Sequence, residues 1–127
     1  MNYFFLDASA LAKRYVVEIG TPLINHLFNT VPKRRMTALI LALGEIVSIL
    51  VRRRNDGRIS TRAFRQAMAE FRVEIAEASD FLLQSASDDL VRMSLALIER
   101  HSLNAPMLLS WAVLCRSLRF CGQRMMT

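Results

Sequence analysis

Three short candidate strands, each followed closely by a longer stretch with helical spacing, set the narrowest limit on how this chain can fold. Tyr3 to Leu6 (YFFL) runs straight into a helical pattern over Ala8 to Val16. A second run near Arg35 to Ala38 precedes an apolar segment from Leu39 to about Arg54, and Asp80 to Leu83 (DFLL) leads into SDDLVRMSLALIERH. Runs this short, bounded by helical patterns, read as buried strands. Strand followed by helix, repeated, predicts an α/β fold with a short parallel sheet and helices on both faces. A length of 127 residues suits a single domain spanning 1–127.

The punctuation between these runs is local and specific. Gly20 and Pro22 mark a break and a helix start, and PLINHLFN then carries apolar residues at 23, 24, 27 and 28, one helical face. Asn55-Asp56-Gly57 is turn chemistry. Ser60 or Thr61 can cap the next helix, which presents Phe64, Ala67, Met68, Phe71 and Ile75 and predicts an antiparallel hairpin with the helix before it. Ser87 is placed to cap the last helix, with Asp88 and Asp89 in its first turn. The segment Leu39 to about Arg54 is apolar on almost every side, which predicts a buried helix.

Composition excludes some classes. Hydrophobic residues make up 53% of the chain, which argues against disorder. The longest apolar run, Ala38 to Val51, is broken by Gly44, Glu45 and Ser48 and is short for a membrane span. The N-terminus has no basic segment ahead of its apolar residues and so does not read as a signal peptide. The expectation is a cytoplasmic protein with no membrane association. Cys115 and Cys121 form no disulfide framework and have no companions at zinc spacing. Seventeen Lys and Arg against eleven Asp and Glu leave +6, which suits either an acidic partner or plain solubility. Arg52, Arg53 and Arg54, with Arg58, form the densest basic cluster, which can meet phosphates or serve the negative end of a helix.

Two carboxylates stand out. Asp7 ends the first predicted strand, and ligands of open parallel sheets bind beyond the carboxyl ends of strands. The alternative is that Asp7 caps the following helix, with Ser9 sharing the task. Glu45 lies inside LILALGEIVSIL, where an unpaired carboxylate would be costly and would need a cation, a donor or a metal; the alternative is that it surfaces at the rim of the sheet, with Arg52 to Arg54 too far along the helix to be neighbours. A strand-end Asp and a buried helical Glu together suit a hard cation such as Mg²⁺, which takes one or two carboxylates plus waters.

YFFLDASALAKRYVVEIGT and MTALILALGEIVSILVRRRNDGRIS resemble the two N-terminal motifs of PIN domains, especially the VapC-type toxins of bacterial toxin–antitoxin pairs. The resemblance runs from about Asn2 to Leu103. It implies a three-layer α/β/α fold and an endoribonuclease whose acidic side chains hold Mg²⁺, sometimes Mn²⁺, against an RNA phosphate. By that resemblance Asp7 and Glu45 are catalytic, metal-binding carboxylates, Ser9 is a supporting hydroxyl and Thr37 a weaker candidate for the same rim. Arg52, Arg53 and Arg54 are candidate RNA contacts. The family also implies a cognate antitoxin seated on the apolar face of the helix pair around Asn55 to Arg58, and commonly a homodimer.

The resemblance stops after about residue 103. The family continues there with an Asp that opens a helix and completes the metal site, followed by a further strand; here Met107 stands at about that place and nothing from Arg100 to Thr127 is acidic. This tail carries the only Trp, both Cys and three of the seven Met. The expected reading is a frameshift near Leu103 or Asn104 that altered or removed the C-terminal strand and helix; the alternative is a divergent but genuine terminus. Two functions follow: an endoribonuclease toxin with weakened or lost activity, or a catalytically inactive PIN-like protein that binds an antitoxin or another protein.

Overall fold

A computed structural model of the chain describes residues 2–102. Its described residues fall into two compact units, one ending at Leu83 and the other beginning at Gln84. The expectations for the tail, including Met107, the two cysteines and the frameshift, lie outside the described residues.

The sheet in the first unit starts from two strands. Phe4–Phe5 (β1) runs parallel to Met36–Leu39 (β2), with Phe4 opposite Met36 and Phe5 opposite Thr37. The Leu6 amide donates to the Thr37 carbonyl at 2.8 Å and carries the pairing one residue further. Leu82–Gln84 (β3) completes a three-stranded sheet in the order β1-β2-β3. All four residues of the central strand are buried, as a strand covered on both faces must be.

All three expected strands exist, each shorter than or offset from its predicted span. Tyr3 is 60% exposed, so the first strand begins a residue later. Arg35 belongs to a 3₁₀ turn, Lys33–Arg35, which its amide closes on the Pro32 carbonyl at 2.9 Å. Asp80 is drawn off into an ion pair with Lys33 at 3.1 Å.

The helices follow their caps. Ala8–Ala12 (α1) ends sooner than the expected Val16 because the amides of Lys13, Arg14 and Tyr15 each bond three residues back, tightening the chain into turns. Thr21–Thr30 (α2) begins at Gly20, whose φ of 98° lies in the left-handed region that favours glycine. The Thr21 hydroxyl secures that turn by accepting from the Glu18 amide and donating to the Lys13 carbonyl.

Leu41–Asn55 (α3) corrects an expectation: it is buried along one stripe only. Ala42, Ile46 and Leu50, spaced by four, face the core, whereas Leu41, Gly44, Glu45 and Ser48 are exposed. The apolar run hid an ordinary amphipathic helix, because a solvent-facing side can carry a Leu or Ile without a partner.

Thr61–Phe71 (α4) is capped by Ser60, whose hydroxyl accepts from the Ala63 amide at 3.0 Å, and packs on α3. Its apolar face is core. Ala67 and Phe71 are buried, and Phe64 and Met68 are partly buried against the same cluster. The helix continues into a π-type turn, Arg72–Ala76, closed by the Glu77 amide on the Arg72 carbonyl at 2.8 Å. In the second unit, Asp88–His101 (α5) has the Ser87 cap and the two first-turn acids that its sequence announced.

The first unit's core joins Leu11 of α1, Met36 of β2, Ile46 and Leu50 of α3, Phe71 of α4 and Ile75 of the π turn. Beside it lies a polar knot. Arg14 donates to both carboxylate oxygens of Glu74, at 2.8 and 3.2 Å, and to Asn25 on α2 at 2.7 Å. Tyr15 donates its hydroxyl to Glu74 at 2.8 Å and packs edge-on against Phe71. The Arg14 guanidinium also sits 4.9 Å from the Phe28 ring centre. No buried side-chain polar atom among the described residues is left unpaired. The hydrogen bond to Glu74 holds the Arg14 proton more tightly than usual, and burial, reinforced by the Glu74 charge, pushes the Tyr15 hydroxyl well above the tyrosine range.

Two outcomes follow from this packing. Leu50 is fully buried, so Leu50→Ala should cost about 2–5 kcal/mol and lower the urea midpoint accordingly. Tyr15 keeps its proton in the folded chain beyond about pH 10, where a tyrosine of the unfolded chain loses it. Its contribution to stability is therefore complete below about pH 10 and declines above it. Tyr15→Phe should forfeit about 1 kcal/mol at neutral pH through the lost hydrogen bond, yet show a shallower alkaline decline of the urea midpoint than the parent.

Candidate functional site

Asp7 performs the capping role considered for it. It is the N-cap of α1, and its Oδ1 accepts from the Ala10 amide at 2.8 Å. One bond uses one oxygen. The residue is exposed and Oδ2 has no partner among the described residues, so the cap fixes the carboxylate while leaving half of it available.

The register places Asp7 at the open end of the sheet. Phe5 lies opposite Thr37, and two residues further along each parallel strand bring Asp7 level with Leu39, where β2 ends and the chain turns into α3. Glu45 lies in the second turn of α3, and α1 and α3 pack against each other. Both carboxylates thus belong to elements that leave the same edge of the sheet. Glu45 is exposed, which corrects the expectation of a buried charge in need of a partner. Burial therefore gives no reason for a cation at Glu45.

Ser9, on the first turn of α1, is exposed like Asp7. Thr37 differs: it is 6% exposed and its hydroxyl donates to the Leu82 carbonyl at 2.8 Å, which makes it a tie between β2 and β3. Asp80 is engaged by Lys33, and the Asp89 carboxylate lies 3.9 Å from Arg92. Among the described residues no three His, Cys, Asp or Glu side chains converge on one point. Asp7 and Glu45 are each a hard oxygen donor open to water, of the kind that suits Mg²⁺ better than a softer metal.

The structure sorts the arginine triplet. Arg54 lies over the Phe64 ring, 4.5 Å from its centre, and bonds Asn55. Arg53 is paired with Glu18 at 2.7 Å. Arg52 is exposed with no side-chain partner among the described residues. Successive helical positions are turned by about 100°, so three adjacent arginines cannot serve one surface. Arg52 and Arg53, with Ser9, Lys13, Asp56 and Arg58, line a cleft of about 450 Å³ between α1 and the far end of α3. Lys13 escaped the sequence reading, and its four-residue spacing from Ser9 on a helical stretch was the available signal.

No protein-family model matches the chain, and no curated protein does. Among solved structures it is similar to the VapC20 toxin of Mycobacterium tuberculosis, described as a sarcin-ricin loop cleaving toxin, with a TM-score of 0.69 at 20% identity over 90% of this chain and 82% of that one. The chain has a PIN-like α/β fold with a short sheet, the architecture of that toxin.

Proposed function

We propose that this chain is a PIN-type, Mg²⁺-dependent endoribonuclease of the VapC toxin class. The observation that carries the reading is the position of Asp7: a carboxylate fixed by a helix cap at the open end of a parallel sheet, with one oxygen unspent, in a chain that shares its fold with a toxin described as cleaving the sarcin-ricin loop. Asp7 and Glu45 would hold the ion, with Mn²⁺ as a substitute. A metal bound there supplies an activated water and neutralises charge on the phosphorus oxygens.

The chain's own residues account for the rest. The Ala10 amide keeps Asp7 in one orientation, so little side-chain entropy is lost when its free oxygen engages a ligand. The Ser9 hydroxyl can donate to a phosphate oxygen or an ordered water at the start of α1. Glu45 is exposed and can turn toward the same edge. The partners of this reading are an RNA substrate and a cognate antitoxin, with a homodimer as the expected assembly.

A second reading has its own support. Among the described residues no three His, Cys, Asp or Glu side chains come together, and fewer carboxylates hold Mg²⁺ less firmly than three do. A PIN-like protein that binds an antitoxin without cutting RNA fits that shortage.

Cleavage of mixed single-stranded RNA, measured with Mg²⁺, with EDTA, and with Asp7→Asn and Glu45→Gln, separates the two. Asparagine caps a helix as well as aspartate does, so Asp7→Asn should leave the thermal midpoint nearly unchanged. Under the nuclease reading cleavage requires Mg²⁺ and falls on the order of a hundredfold or more in Asp7→Asn. Cleavage that survives both EDTA and Asp7→Asn overturns it, and a folded parent that leaves RNA intact while binding an antitoxin establishes the second reading.

A further inference from the structure

The cleft between α1 and the far end of α3 contains an uncommitted charge. It is lined by four cations, Lys13, Arg52, Arg53 and Arg58, and two carboxylates, Glu18 and Asp56. Internal bonds already employ half of the cations. Arg53 is taken by Glu18 at 2.7 Å, and the Lys13 ammonium donates to the Ile19 carbonyl at 2.8 Å. Arg52 and Arg58 are exposed and have no side-chain partner among the described residues. Two free guanidinium forks facing one cleft, with the Ser9 hydroxyl on its wall, make a donor set for the oxygens of a phosphate.

Position argues for a strand rather than an isolated ion. Arg52 follows Glu45 by seven residues, two helical turns, so the two lie on nearly the same side of α3 about 10 Å apart. A single phosphate cannot meet Arg52 and a metal at Glu45 together. Ser9, two residues after Asp7, connects the cleft to the candidate metal edge.

We propose that this cleft binds a phosphate of single-stranded RNA neighbouring the one at Asp7 and Glu45, with Arg52 and Arg58 as its direct contacts and Arg53 and Lys13 as the braced wall. The proposal rests on the ribonuclease reading for its choice of ligand. Binding without metal tests it separately from cleavage.

The measurement is fluorescence anisotropy of a short, labelled single-stranded RNA of mixed sequence, titrated in EDTA across a salt series. It compares the parent, Arg52→Ala, Arg58→Ala and, as a matched loss of charge outside the cleft, Arg62→Ala. Each phosphate contact removed from a single strand should flatten the slope of log affinity against log salt by about 0.7. Arg52→Ala and Arg58→Ala should each show that change with a roughly three- to tenfold loss of affinity, while Arg62→Ala keeps the parent slope. Thermal midpoints equal to the parent's establish that the variants are folded. If both arginine variants match Arg62→Ala, the cleft is not a phosphate site. If they lose affinity for a labelled polyglutamate peptide but not for RNA, the cleft takes an acidic protein segment and the proposal is overturned. Normal RNA binding with the predicted slopes, from a parent that never cleaves, supports the cleft and removes the nuclease reading.

Discussion

The carboxylate of Glu74 reaches across 60 residues of sequence to hold the end of α1. A helix of five residues has too few internal hydrogen bonds to persist by itself. Its place is fixed from outside: Leu11 and Ala12 sink into the core, and the next turn hands Arg14 and Tyr15 to Glu74. Because Arg14 also bonds Asn25 and lies against Phe28, the same guanidinium secures α2. An arginine fork on a carboxylate is directional as well as attractive, and both groups are about three-quarters shielded from water, so the tie fixes orientation where an open surface pair would not. Everything at the other end of α1, Asp7 and Ser9 included, inherits its position from this knot.

The architecture was largely legible in the residues, because its signals are local. The Ser60 and Ser87 caps, Gly20 with Pro22, and the Asn55-Asp56-Gly57 turn each act within a few positions, and the structure uses them where the sequence put them. Strand ends were less legible, since Arg35 and Asp80 answer to a turn and to an ion pair. The burial of Glu45 was misread because hydropathy alone does not say which side of a helix meets the core; the four-residue spacing of Ala42, Ile46 and Leu50 does. The Glu74 knot was out of reach: nothing near Arg14 in the chain names a partner so far away.

The candidate site shows the same division. That Asp7 would cap and that it would stand at a strand end were presented as rival explanations, and the geometry makes them compatible, since a cap consumes one carboxylate oxygen of two. Thr37 moved the other way, from rim candidate to strand tie. The arginines were read as one patch, and only two of them share a surface: Arg52, free, and Arg53, paired with Glu18, line one cleft, while Arg54 is stacked on an aromatic ring. Charge clusters in sequence become charge clusters in space only when the helical period allows it.

The π turn at Arg72–Ala76 means that the chain spends one residue more there than an α-helical path would need. That surplus is what lets Ile75 reach the core while Glu74 meets Arg14 and Val73 faces water. The fold is therefore more exposed to a change of length at this point than to most changes of letter. Dropping one residue from the segment would leave a regular helix of good composition, turned by about 100° beyond the deletion, with its acid swung away from α1. Insertions and deletions here would act at a distance on the orientation of the short helix that carries Asp7.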